Sequence, residues 1–219
     1  LPASGLAGYF GALSPKARSN VGRKMRGLLD AGDVQLLTST STESAAVLFE
    51  LYRCIEPHSW KGQADVAIGR NAQAIDLCAG LLDPAQPMAL VVQVLLLNGA
   101  PIAGLISGRF GRGLYAMHVV YDERQGELSP GSAIMLLGIR HALATGCEFV
   151  NLLWGSGHYK TRWLAQMHDT CSLQVYRLGS PYYWRRVLGD LRRRWVGEAP
   201  ADAPVKFNPL RRALALRGR

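Results

Sequence analysis

The residues best able to do chemistry in this chain gather in three places. The first follows a glycine turn, where Gly155-Ser156-Gly157 leads into His158, Tyr159, Lys160 and Arg162. A tyrosine hydroxyl can protonate a leaving group. Lys160 can anchor a phosphate or a carboxylate, with Arg162 sharing that task. On a helix His158 and Arg162 lie four apart on one face, so the cluster can converge. The bland alternative is a solvated basic helix start. The second place is an apolar strand that carries His118 and ends at Asp122. Histidine titrates near neutrality and suits general-base work, although a lone strand histidine also serves structure. Asp122 stands where a turn begins, so turn capping competes with a role as base. The third is Ser129-Pro130-Gly131-Ser132, a helix opener. Amides at a helix N-terminus favour phosphate. Gly131 lets a pyrophosphate approach the backbone from 131 to 134, and Ser132 adds a hydroxyl. A well-capped core helix is the alternative. Trp154 and Trp163 can be a substrate platform or core.

These residues need elements to hold them. Ser14-Pro15 opens a helix that ends at Gly32, and residues 34–38 read as a strand. A helix over 42–55 follows, with Val47, Leu48, Leu51 and Ile55 at helical spacing. Another helix is expected over 65–82. The pattern then changes to strands over 88–97, 102–110 and 114–121, the first two joined by Asn98-Gly99, a strong hairpin signal. The Ser-Pro-Gly helix runs toward Gly146, and residues 149–153 read as a short central strand. A last strand is expected over 173–178. Tyr182 to Val196 forms an amphipathic helix, and an Ala/Pro-rich linker and basic tail follow. The fold class is α+β (α/β), a mixed, mostly antiparallel sheet flanked by helices.

The 219 residues are 48% hydrophobic and 19% charged, which excludes a disordered chain and supplies a sizeable core. The longest apolar run, 88–97, is too short to span a bilayer. No charged-then-apolar leader opens the chain, which starts without Met and so fits a piece of something longer. Four cysteines without a C-x-x-C pair point away from metal fingers and toward a reducing cytoplasm. The net charge of +9 is uneven, with five basic and no acidic residues over 16–26. Residues 184–219 hold ten basic and three acidic residues, whereas 27–183 hold ten and thirteen. A basic partner surface therefore belongs to the terminal segments.

The stretch from Pro101 to Trp163 resembles the GNAT-like acetyltransferases of the cellulose and exopolysaccharide-biosynthesis type, themselves similar to Fem-type aminoacyl transferases. The resemblance rests on Tyr115-Ala-Met-His-Val-Val-Tyr-Asp122, Ser129-Pro130-Gly131, the helix 134–144 with Gly146, Phe149-Val-Asn-Leu-Leu153, Gly155, Tyr159-Lys160 and Trp163. Upstream, Ser14-Pro-Lys-Ala-Arg18, Arg23, Arg26 and Trp60-Lys-Gly62 share it. The usual Q/R-x-x-G-x-G/A loop is replaced by Arg124-Gln-Gly-Glu127. Asn151 stands where this family often has an acidic residue.

The resemblance implies a GNAT-like acyltransferase domain over 14–180, an N-terminal extension over 1–13 and a basic helix and tail over 181–219. The implied reaction moves an acyl group, acetyl first, from acyl-CoA to an amine or amino-sugar acceptor. A backbone amide of strand 114–121 would polarise the thioester, and Tyr159 would protonate the thiolate. Cofactor contacts fall on Ser129, Gly131, Ser132 and Lys160. Acceptor contacts fall on Trp60, Asn151, Trp154, His158 and Arg162. No metal is called for. Two other readings stand beside it. The basic helix 16–26 motivates a Fem-type transferase using aminoacyl-tRNA, and the altered loop with Asn151 motivates a non-catalytic module. The expected place is the cytoplasm, peripheral at the inner membrane face where the C-terminal helix meets anionic lipid.

Overall fold

The computed structural model describes residues 1–63, 67–153, 160, 162–166, 168 and 175–196. Helix α1, Gly5–Ala12, occupies the expected extension and sinks Tyr9 into the core. Helix α2, Pro15–Asp30, begins where Ser14 Oγ accepts the Ala17 amide with Pro15 in the first turn. It ends before Gly32, whose φ of +149° is open to glycine. Strand β1 is Val34–Thr38 and α3 is Thr42–Ile55, as the sequence implies. Helix α3 starts in a capping box in which Ser41 and Ser44 satisfy each other's amides.

The helix expected over 65–82 is shorter. A 3-10 turn at Glu56–His58 leads into α4, Trp60–Gln63. Another turn at Ile68–Arg70 precedes α5, Ala72–Gly80, which starts at the Asn71 cap. The delay follows from Glu56, a buried carboxylate that accepts the Ile68 and Gly69 amides at 2.7 and 2.8 Å and draws this segment into a turn.

Strands β2 (Ala89–Leu97), β3 (Ala100–Phe110) and β4 (Gly113–Tyr121) form the meander. Asn98 and Gly99 both have positive φ, the hairpin geometry that Asn-Gly favours. Helix α6 is Pro130–Ala144, and β5 is only Phe149–Asn151. The sheet order is β1-β2-β3-β4-β5, antiparallel except for the parallel β4–β5 pair. Among the described residues β5 is the last strand in this order, next to β4; whether it is central, as expected, turns on residues outside those described. Phe149 is exposed there. Residues 175–178 form no strand, contrary to expectation, and 173–174 lie outside the described residues.

Two cores flank the sheet. On one side α1, α2 and α6 pack Tyr9, Leu13, Leu28, Ile134 and Ile139 against Leu95, Leu105 and Ala103. On the other, α3 and α5 pack Leu48, Tyr52, Ile55 and Cys78 against Val92, Val94 and Ile106. The alternation of Val94 with Leu95, and of Leu105 with Ile106, divides the cores as period-2 strands require. The chain separates into two compact units, 1–168 and 169–219. The second contains α7, Pro181–Val196.

Candidate active site

The pairing of β3 with β4 slips once. Ile106 faces His118 while Ser107 faces Ala116, so Met117 is the extra residue of a bulge. The bulge overturns the simple alternation that puts Ala116 with His118. Ala116 instead joins Val119 and Tyr121 on the α6 side, while Val120 packs with the α3 side. Next to this bulge β5 pairs with β4 only from Gly113↔Phe149 to Tyr115↔Asn151, after which the described ladder stops.

A cleft of about 1290 Å3 opens along this part of β4. Its wall takes Ala17, Asn20, Val21 and Lys24 from α2, which share a face at helical spacing. Trp60 and Lys61 come from α4; Ala116, Met117, Val119 and Tyr121 from β4; Ser129, Gly131 and Ser132 from the start of α6. Leu152, Leu153, Lys160, Arg162, Trp163 and Leu164 complete it. Among the described lining residues there are five cations, Lys16, Lys24, Lys61, Lys160 and Arg162, and no carboxylate. Such a wall attracts anions.

The cations are held by the fold. Lys24 Nζ reaches Ser132 Oγ at 3.4 Å, and burial, then Arg162 and Arg23, keep its ammonium below the usual lysine range. Lys160 is buried and donates to the Leu153 carbonyl at 3.1 Å. Lys61 lies with Nζ 5.7 Å from the Trp60 ring centre, and burial brings it down to about 8 although Glu56 opposes the shift. Leu153 and Leu164, both in the wall, have φ of +57° and +59°, an uncommon backbone for branched side chains. Such outliers collect where a site over-determines its backbone.

The α6 start differs from expectation in detail. Ser129 is left-handed, with φ +54°, and its side chain caps nothing. Its carbonyl takes the Ser132 and Ala133 amides at 2.9 and 3.2 Å. Of the amides expected to meet a pyrophosphate, those of Ser132 and Ala133 are taken by this turn. A Cβ at Gly131 would come 2.8 Å from Tyr121 Cδ1, so the missing side chain also admits the Tyr121 ring.

His118 and Asp122 are brought together with other partners. His118 Nδ1 hydrogen-bonds Tyr52 Oη, whose ring is fully buried on the α3 side. Asp122 accepts the Arg124 amide at 2.9 Å and the Arg124 guanidinium at 2.7 to 3.1 Å. Those bonds hold its carboxyl below the usual range, which suits a cap and weakens a base. Neither lines the cleft, because the bulge turns His118 away and the turn closes on Asp122. Asn151 caps its own turn by accepting the Leu153 amide at 2.7 Å. Trp163 is buried in the α6-side core, its carbonyl accepting Tyr9 Oη at 3.0 Å. Trp154, His158 and Tyr159 lie outside the described residues.

Sequence reading missed Lys24 and the cleft role of Lys61. The spacing of Ala17, Val21 and Lys24 was the available signal, obscured because residues 16–26 read as a basic surface. Among the described residues no group of three or more His, Cys, Asp or Glu could hold a metal, and no helix is long and apolar enough to cross a membrane.

A meander whose bulged last strand borders a cationic cleft, feeding a helix that opens on the same cleft, defines a mixed-sheet fold built for an anionic group donor. The chain belongs to the acetyltransferase (GNAT) domain family, which matches residues 15–161. It carries the domain of a GNAT-like N-acyltransferase. No curated protein sequence matched it. Among solved structures it is similar to an aminoglycoside acetyltransferase from an uncultured soil metagenomic sample, at 10% identity and a TM-score of 0.46, covering 66% of this chain and 99% of that one. A second soil-metagenome aminoglycoside acetyltransferase, in complex with sisomicin, matches at 13% identity and a TM-score of 0.43, covering 66% and 96%. The C-terminal domain of a putative lysylphosphatidylglycerol synthetase from Agrobacterium fabrum matches at 10% identity and a TM-score of 0.45, covering 64% of this chain and 42% of that one.

Proposed function

We propose that this chain moves an acyl group, acetyl first, from a CoA thioester to the amine of a small acceptor, an amino sugar of envelope polysaccharide. The observation that carries the reading is the cleft lined by five cations and no carboxylate along the bulged stretch of β4. In this reading the donor's phosphates lie against Lys24, Lys160, Arg162, Ser132 and the Gly131 amide. The acyl arm follows Ala116, Met117 and Val119, and a β4 amide beside the bulge polarises the thioester carbonyl. The free amine attacks, a C–N bond forms, and the C–S bond breaks. The thiolate takes a proton, in the reading given to Tyr159. Trp60 and Asn151 face the acceptor. His118 and Asp122 shape β4 and its exit turn.

With Lys24, Lys160 and Arg162 taken by the donor, Lys16 and Lys61 remain to meet the acceptor, and a neutral or anionic amino sugar fits them better than a polycationic aminoglycoside. Calorimetric titration with acetyl-CoA, a longer acyl-CoA and free CoA tests the donor. Micromolar binding is expected, weakened at least tenfold by Lys24→Ala with Lys160→Ala. No binding of any of the three would remove the reading.

One observation favours a peripheral membrane contact as well. Helix α7 leaves Trp184, Leu188, Leu191 and Trp195 exposed, with Arg185 and Arg192 exposed beside them. Sedimentation with phosphatidylglycerol vesicles, lost in Leu188→Glu with Trp195→Glu, is the expected result. Equal sedimentation of that variant would refute the contact.

A further inference from the structure

We propose that Lys61 is a self-acylation site: its Nζ takes an acyl group from the donor bound in the cleft it lines, leaving a neutral amide in the cleft wall. The inference rests on the acyl-CoA reading above and adds a second acceptor, one built into the protein.

The argument begins with how Lys61 is mounted. Helix α4 is a single turn that packs against the Glu56–His58 turn. It is tied down by a buried polar knot: Ser59 Oγ donates to the Glu56 carbonyl at 2.8 Å, and the Gly62 amide donates to the Ser59 carbonyl at 3.1 Å. Glu56 and Ser59 are 3% and 1% exposed, so the knot is interior. A Cβ at Gly62 would come 2.3 Å from the Glu56 carbonyl oxygen, so the close turn requires glycine there. The knot therefore holds Lys61 against the cleft, beside the Trp60 ring, with the Glu56 carboxylate as the charged group that acts on it.

The other described lysines of the cleft differ. The Lys24 ammonium nitrogen is tied to Ser132 Oγ and that of Lys160 to the Leu153 carbonyl. Lys61 is brought to about 8 by burial, so about a tenth of it is free amine at pH 7. A desolvated lysine in that state is a nucleophile. The step balances: the Nζ lone pair attacks the thioester carbonyl, and a C–N bond forms as the C–S bond breaks. The thiolate leaves as the thiol with the proton that Nζ gives up. The product removes one of the cleft's five positive charges and adds an acetyl group to its wall, so acylation damps transfer to an outside acceptor.

The test incubates the full chain with acetyl-CoA and no acceptor, and follows acetylation of each lysine by peptide mass spectrometry. Lys61 is expected to acquire the mark at least about tenfold faster than Lys16, Lys24 or Lys160, since it is mounted against the cleft beside the Trp60 ring while Lys24 and Lys160 are tied to Ser132 and the Leu153 carbonyl. Saturating free CoA should suppress the mark, while acetic anhydride should still label Lys61 in its presence. Labelling at equal rates on all four lysines, or labelling that free CoA leaves unchanged, would overturn the proposal. If calorimetry shows CoA bound and Lys61 stays unmodified, this inference alone fails. If CoA does not bind, the acyl-CoA reading falls with it.

Discussion

At the scale of single residues, the chemistry expected of His118 and Asp122 is redirected by what they touch. Asp122 is buried and ion-paired to Arg124, whose side chain is largely exposed. Its folded carboxyl sits below the ordinary range because the Arg124 hydrogen bonds favour the anion. The sign follows from linkage. Between the folded and unfolded values the unfolded chain binds the extra proton, so this contribution is present above about pH 4 and lost as pH falls below it. Asp122→Asn should lower stability at pH 7 by about 1 kcal/mol, the exposure of Arg124 limiting the effect. In urea denaturation the gap between the two proteins should close toward pH 3. A gap independent of pH would show that shape, not charge, is what Asn fails to supply.

At the scale of elements, the helices reach the sheet through glycines. Gly104 on β3 lets α3 in, because a Cβ there would come 2.5 Å from Tyr52 Cδ2. Tyr52 is fully buried and bonded to His118 on β4, so its ring has little room to yield. Gly104→Ala should cost about 1–3 kcal/mol from overpacking. Gly11, on α1, meets nothing within 4 Å, so Gly11→Ala should be neutral or stabilise by up to about 1 kcal/mol. Chemical denaturation of both variants separates the two cases. If Gly104→Ala proves neutral, the α3–β3 approach is looser than these contacts describe. The bulge at Met117 belongs to this scale too, since one extra residue decides which side chains of β4 meet the cleft.

At the scale of the molecule, charge drawn from α2, α4 and the segment after β5 converges on one cleft in the unit 1–168. Neither the net charge of +9 nor the basic run over 16–26 foretells that convergence. A wall of this kind should bind a polyanionic donor less tightly as salt screens it. Acetyl-CoA affinity is expected to fall about tenfold between low salt and 0.5 M, where the screening length shrinks to a few ångströms. The neutral donor acetyl-pantetheine should show little change. Equal salt dependence for both would separate the cations from donor binding.

Local chemistry was legible in the amino-acid order wherever neighbours in the chain decide the outcome. Ser14-Pro15, Asn98-Gly99 and the period-2 strands of the meander marked α2, the hairpin and β2 to β4, because caps, turns and alternation act within a few residues. The family likeness was legible on the same ground, in the run from Tyr115 to Trp163. Elements whose form depends on distant contacts were not. Glu56 shortened the expected helix by taking the amides of Ile68 and Gly69, and the parallel pairing of β5 with β4 is a long-range choice. The facing of His118, the bonding of Asp122 to Arg124 and the meeting of Lys24 with Ser132 were likewise decided in the folded chain. A register slip of one residue reverses a strand's faces, and charges separated by a hundred residues become neighbours only when helices pack.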